Sequence, residues 1–234
     1  MLNALKFTIA PISLAFFAYL SFTQRGVLSY SAFLYAYAMI PLIEFFLKND
    51  ERNFSEFEES LAERNPIYDL VLYFSVALHL FLLATFLFSI TDPRLETYEI
   101  VGRTLSMGLL TTFAINLGHE LGHRQTWGEQ FLAKLMLLTS VMMHFFIEHN
   151  YGHHLKVATP EDGATAKLNQ SVYSFWFSSV TRQYISAWKI QLRILKRDGL
   201  HFFSFNNKML FYHIIQAFYV IGVYSLFSLE GQTQ

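Results

Sequence analysis

The chain has 234 residues, 53% hydrophobic, 18% aromatic and only 15% charged, where an ordinary soluble domain carries roughly 25% charged residues. Its 25 Phe and 13 Tyr bring more apolar area than a disordered chain can leave in water, and the mean hydropathy is +0.30, so the composition is that of a membrane protein. A net charge of −1 excludes a strongly basic nucleic-acid binder, and zero cysteines exclude disulfides, thiolate-held iron–sulfur clusters, cysteine zinc sites and cysteine nucleophiles.

A helix needs about 20 mostly apolar residues to cross the hydrocarbon core. In chain order, Phe7 to Phe22, Val27 to Leu47 and Tyr68 to Ile90 fit, the first two joined by a tight hairpin at Thr23-Gln24-Arg25-Gly26. No small-x-small cleavage site follows the first run, so it reads as a retained helix rather than a signal peptide. Lys48 to Pro66, with six acidic and three basic residues, reads as a polar interfacial loop. A fourth span from Ile100 to Leu117 tolerates Arg103 if that side chain snorkels from the segment end. Phe131 to Ile147 has a suitable composition, and Met209 to Leu229 forms a further span.

Lysine and arginine orient these segments. With the N-terminus inside, the stretch from Arg124 to Lys208 is cytoplasmic and holds ten of the 17 basic residues. Lys6, Lys48, Arg52 and Arg64 also fall inside, leaving only Arg25, Arg94 and Arg103 towards the outside. The expected fold class is all-α: a polytopic transmembrane helix bundle with its histidine clusters at the cytoplasmic face.

Those clusters are the chemical signal. His119 and His123 in Gly118-His119-Glu120-Leu121-Gly122-His123 stand four apart, so on a helix they share a face and can reach one metal ion. Glu148-His149-Asn150-Tyr151-Gly152-His153-His154 repeats the spacing with His149 and His153, and His154 projects about 100° round the helix from its neighbour. Ligands pointing in two directions suit two metals, and ionisable groups at a membrane edge are functional candidates. Isolated His79, His201 and His213 read as packed core residues, as does His144, for which a hydrogen bond to a ligand is the alternative. If Phe131 to Ile147 crossed the bilayer, the clusters would lie about 30 Å apart, so this segment is expected not to span.

His119-Glu120-x-x-His123 also matches the H-E-x-x-H zinc metalloprotease motif, with Glu120 as base. Such a hydrolase needs three protein ligands and one open position, leaving the second cluster without a use. An oxygen-activating iron site accommodates the additional imidazoles. Its electrons would come from a soluble partner, because the chain carries no flavin, haem or cysteine-cluster motif.

The two clusters, followed by Val157-Ala158-Thr159-Pro160-Glu161-Asp162-Gly163-Ala164 and the aromatic stretches Tyr173 to Trp176 and Ala187-Trp188, closely resemble the membrane-bound alkane hydroxylase (alkane 1-monooxygenase) family over nearly the whole chain. The Val157 to Ala164 run separates it from fatty-acid desaturases and other histidine-box hydroxylases, the related alternatives. The resemblance implies a non-haem di-iron enzyme of the bacterial inner membrane that hydroxylates the terminal carbon of an alkane with O2. Its electrons would come from rubredoxin and a NADH-dependent rubredoxin reductase. It further implies His119, His123, His149, His153 and His154 as iron ligands, while Glu161 and Asp162 either orient a ligand imidazole or serve as solvated loop charges or a helix cap. No catalytic residue beyond the ligands is assigned.

The family's further histidine and its third box, H-x-x-H-H, find no match here, so five of nine expected ligands are present. Residues 1–234 are therefore expected to be one integral-membrane hydroxylase domain, C-terminally incomplete and inactive by itself, with the two irons not fully bound. A natural truncation serving as a non-catalytic membrane protein is the alternative.

Overall fold

The computed structural model describes residues 6–47, 53, 55 and 65–230. Among these the chain is all helix, without strands. The elements are α1 (Ile9–Thr23), α2 (Gly26–Phe46), α3 (Pro66–Ser89), α4 (Thr97–Gly122), α5 (Trp127–Thr139), α6 (His144–Glu148), α7 (Val172–Arg197) and α8 (Lys208–Glu230). Among the described residues four helices are long and apolar enough to cross a membrane: Gly26–Phe46, Pro66–Ser89, Thr97–Gly122 and Lys208–Phe227. The first expected span, Phe7 to Phe22, falls within a helical run that changes type near its start. Its α-helix has 15 residues after a 3-10 turn at Lys6–Thr8, and at 1.5 Å per residue it rises only about 22 Å. Most of the expected polar loop from Lys48 to Pro66 lies outside the described residues.

The chain divides into two compact units, one of residues up to Ala114 together with those from Ser225, the other Ile115–Tyr224. In the first, Leu14, Ala15, Ala18 and Phe22 of α1 pack with Ala32, Leu82, Met107 and Leu110. α2 is a composite helix whose middle widens into a π turn at Tyr35–Met39, just before Pro41. Proline has no N–H to return to the preceding turn and its ring crowds that turn's carbonyl, so a local widening is the expected accommodation.

Arg103 departs from expectation. It does not snorkel: it is buried, and its guanidinium donates to the carbonyls of Ser89 at 2.7 Å and Gln24 at 3.0 Å. Those oxygens sit at the C-terminal ends of α3 and α1, where unpaired carbonyls and the helix dipole favour a cation. The hairpin beside it is fixed by Glu99, which accepts from the backbone N–H groups of Gly26 at 2.5 Å and Glu96 at 2.9 Å.

In the second unit, Phe131 to Ile147 is not a continuous helix, as the histidine geometry required. α5 ends in a Schellman turn: Met142 N donates to Leu137 O at 2.8 Å and Val141 N to Leu138 O at 3.0 Å, with Val141 left-handed at φ 57°. Gln216 on α8 then accepts from Met143 N at 2.8 Å. α5, at 13 residues, rises about 20 Å, short of the roughly 30 Å hydrocarbon core.

Candidate metal centre

The end of α4, α5 and one irregular turn build the site, whose residues all lie in the second unit. α4 ends at Gly122, so His119 and His123 ride its last turn and first following residue. Their Nε2 atoms lie 3.1 Å apart. α5 can approach α4 closely because of Gly118: a Cβ there would stand 2.9 Å from Leu137 Cγ and 3.0 Å from Ala133 O.

α6 does not continue as an α-helix through the second cluster. His149–His153 is a π turn, closed by i→i+5 rather than i→i+4 hydrogen bonds. That one-residue expansion changes which imidazoles share a face. In a regular helix His149 and His153 would point together, as the sequence reading expects. In the π turn His149 is instead joined by His154, with Nε2 atoms 3.0 Å apart. His149 Nε2 also lies 3.2 Å from that of His123.

His119, His123 and His149 each offer a ligand atom, all within 4.8 Å of one another, and His154 borders the same group through His149 and through His123, whose ring centroid is 4.9 Å away. His153 stands apart from this convergence. Its ring stacks on His149 at 5.2 Å, and its Nδ1 lies 2.9 Å from Asp162 Oδ2.

The acidic pair Glu161 and Asp162 therefore divides. Glu161 is exposed, whereas Asp162 is 1% exposed and accepts from Ala164 N at 3.0 Å and from Thr165 Oγ1 at 2.5 Å. Burial works against its charge, but the Thr165, Ala164 and His153 hydrogen bonds prevail and hold the carboxyl below its ordinary value. Burial first, then the neighbouring imidazoles, push His149 down to about 3, leaving it neutral at pH 7, as a metal ligand must be.

Sequence reasoning passed over three contributors. Phe145 stacks on His149 at 4.9 Å; its position four residues earlier was the available signal. Gly152 has no room for a side chain, since a Cβ would meet Glu148 Oε1 at 2.8 Å and Ile190 Cδ1 at 2.9 Å. Glu148 itself is buried, and burial raises its pKa. The remaining histidines lie elsewhere. His144 is buried edge-on to Tyr184 and His79 is buried in the first unit, while His201 is exposed. His213 Nδ1 donates to Met209 O at 2.7 Å, so its Nε2 accepts from Tyr184 OH at 2.8 Å.

Converging imidazoles, with no carboxylate in the group among the described residues, form a donor set that suits a first-row transition metal. The sequence matches the fatty acid desaturase family over residues 98–233. The chain belongs to the fatty acid desaturase family. Within that family's reach, it is 33% identical over 174 residues to alkane 1-monooxygenase 1 of Alcanivorax borkumensis and to alkane 1-monooxygenase of Pseudomonas putida, covering 74% of this chain and 43% of each relative. It is 30% identical over 154 residues to the xylene/toluene monooxygenase hydroxylase component of Pseudomonas putida, covering 64% of this chain and 42% of that protein. The chain thus spans less than half the length of these relatives. The resemblance to alkane hydroxylases read from the histidine motifs is borne out, and the desaturase alternative is kin to it. This desaturase-family chain, with four helices among the described residues long and apolar enough to cross a membrane, is an integral membrane protein with a histidine-built candidate metal centre.

Proposed function

We propose that this protein serves the terminal hydroxylation of alkanes at a histidine-held non-haem di-iron centre. O2 is the oxidant, and electrons come from rubredoxin and its NADH-dependent reductase. The site faces the cytoplasm from the bacterial inner membrane. The observation that carries the reading is the meeting of His119, His123, His149 and His154 at Nε2 separations near 3 Å along the set, in a chain similar to proteins named alkane 1-monooxygenase.

Bound iron would supply the redox chemistry that couples reduction of O2, by two electrons and two protons, to insertion of one oxygen atom into a C–H bond, with water as co-product. The chain's own groups prepare the place. His119, His123 and His149, whose ligand atoms lie within 4.8 Å of one another, would hold a metal ion, and His154 would extend the set. Asp162 fixes the Nδ1 proton of His153, which leaves Nε2 of that ring as the ligating atom and holds its plane. Phe145 covers a face of His149 and keeps water from it. We assign His153 to the same centre as the other four on this basis.

The zinc protease alternative has less support. Glu120, its required base, pairs with Arg124 at 3.3 Å on a side chain 53% exposed, and it is not part of the converging group.

The test is conversion of octane to 1-octanol by membranes holding the protein as its own genome encodes it, supplied with NADH, rubredoxin and its reductase. NADH-dependent 1-octanol that disappears in His149→Ala is the expected result. Desaturated product without alcohol, or zinc-dependent peptide cleavage abolished by Glu120→Gln, would replace this reading with one of the others.

A further inference from the structure

The second unit holds a cavity of about 610 Å³ that the histidine site does not use. It opens where α7 ends and α8 begins, and its walls include Tyr151, Gln191, Arg193, Arg197, Asn206 and Lys208. Three cations face one acid, Asp198, whose Oδ1 is already 2.8 Å from Arg197 Nε. Among the described residues neither Arg193 nor Lys208 has a carboxylate within ion-pair distance. A fourth cation is near: burial, and after it the charge of Lys208, lowers the pKa of Lys134.

Position decides what such a cavity receives. Lys208 is the first residue of a candidate span, so the cavity lies at the depth where hydrocarbon gives way to headgroups. The loop before it presents Phe203, 76% exposed, and Phe205, wholly exposed. Large aromatic side chains in such a place belong among acyl chains rather than in water. Gln191 holds this loop to α7 by donating to Asn206 O at 3.1 Å. An acidic soluble protein would satisfy the cations but would leave these rings in water.

We propose that the cavity binds the headgroup of an anionic phospholipid, its phosphate gripped by Arg193, Arg197 and Lys208, with its acyl chains beside Phe203 and Phe205. The guanidinium fork matches phosphate oxygens in geometry as well as charge, and basic pockets at the ends of membrane helices suit such headgroups.

Native mass spectrometry of the full chain in detergent, with phosphatidylglycerol or phosphatidylcholine of identical acyl chains, tests this. The unaltered chain is expected to retain one phosphatidylglycerol with about tenfold preference over phosphatidylcholine. The pair Arg193→Gln and Lys208→Gln is expected to lose that preference. The pair Lys189→Gln and Lys196→Gln removes equal charge from exposed positions of the same helix outside the cavity, and is expected to keep it within about twofold. Equal retention of both lipids by the unaltered chain overturns the proposal without recourse to any variant. So does equal loss in both variant pairs, which would mean diffuse attraction. Displacement of the lipid by inorganic phosphate at equal concentration would reassign the site to free phosphate, and displacement by polyglutamate to an acidic protein; either result overturns it.

Discussion

Asp162 shows how much one loop residue can contribute to an imidazole several residues away. It is buried, accepts from Ala164 N and Thr165 Oγ1, and spends its remaining reach on His153 Nδ1 at 2.9 Å. Removing a partner of this kind commonly weakens metal binding about 10–100-fold. Asp162→Asn is therefore expected to lower iron affinity by that order with little change in helix content, measured by metal titration and circular dichroism. Glu161→Gln, at an exposed position, is expected to leave affinity unchanged. The sequence offered these two acids as equals. Only the fold around Thr165 and Ala164 separates them, because it buries one carboxylate and leaves its neighbour in water.

His144 carries a different signal at the same scale. Burial, with the neighbouring His213 second, lowers its pKa to about 4 from an ordinary 6.5. As pH falls, the unfolded chain takes up this proton first. The stability that His144 contributes is therefore complete above about 6.5 and lost as pH falls toward 4, by on the order of 1 kcal/mol per pH unit at most. The unfolding temperature in detergent is expected to drop between pH 7 and pH 5, and His144→Phe to flatten that part of the profile.

At the scale of elements, the π turn at His149–His153 governs the site. The i,i+4 spacings are legible in sequence, but the helix they imply pairs His149 with His153. The widened turn pairs His149 with His154 instead and releases His153 to Asp162. Nothing in the local sequence announces a π turn. It is held by packing of Gly152 against Glu148 and Ile190, where a Cβ would fall within 3 Å of both. Gly152→Ala is expected to push the ends of Glu148 and Ile190 aside, costing about 1 kcal/mol, the low end for overpacking, and to reduce bound iron per folded chain. The break between α5 and α6 has the opposite character. Val141 adopts φ 57°, a conformation costly for a β-branched residue. Val141→Gly is expected to raise stability by about 1 kcal/mol in chemical unfolding, leaving metal content unchanged.

For the whole molecule, hydropathy located the long apolar helices well, because a span needs little more than length and composition. It does not detect that the 15-residue α1 is preceded by a 3-10 turn at Lys6–Thr8. It also misplaced Arg103, whose pairing with the carbonyls of Ser89 and Gln24 depends on helix ends distant in sequence. The non-spanning character of Phe131 to Ile147 followed from chemistry: two histidine clusters cannot form one site across a bilayer. Because the chain has no cysteine, single cysteines can be introduced without background. Cysteines at Gln125 and Lys156, on either side of α5 and α6, are expected to react with an impermeant maleimide from the same, cytoplasmic, side.

The proposed function requires that these histidines bind iron through imidazole nitrogen. X-ray absorption at the iron edge of the iron-loaded chain tests it most directly. Nitrogen donors with the multiple scattering of imidazole rings are expected, lost together with the iron in His119→Ala and His149→Ala. Iron held by oxygen donors alone, or retained unchanged in both variants, would contradict it.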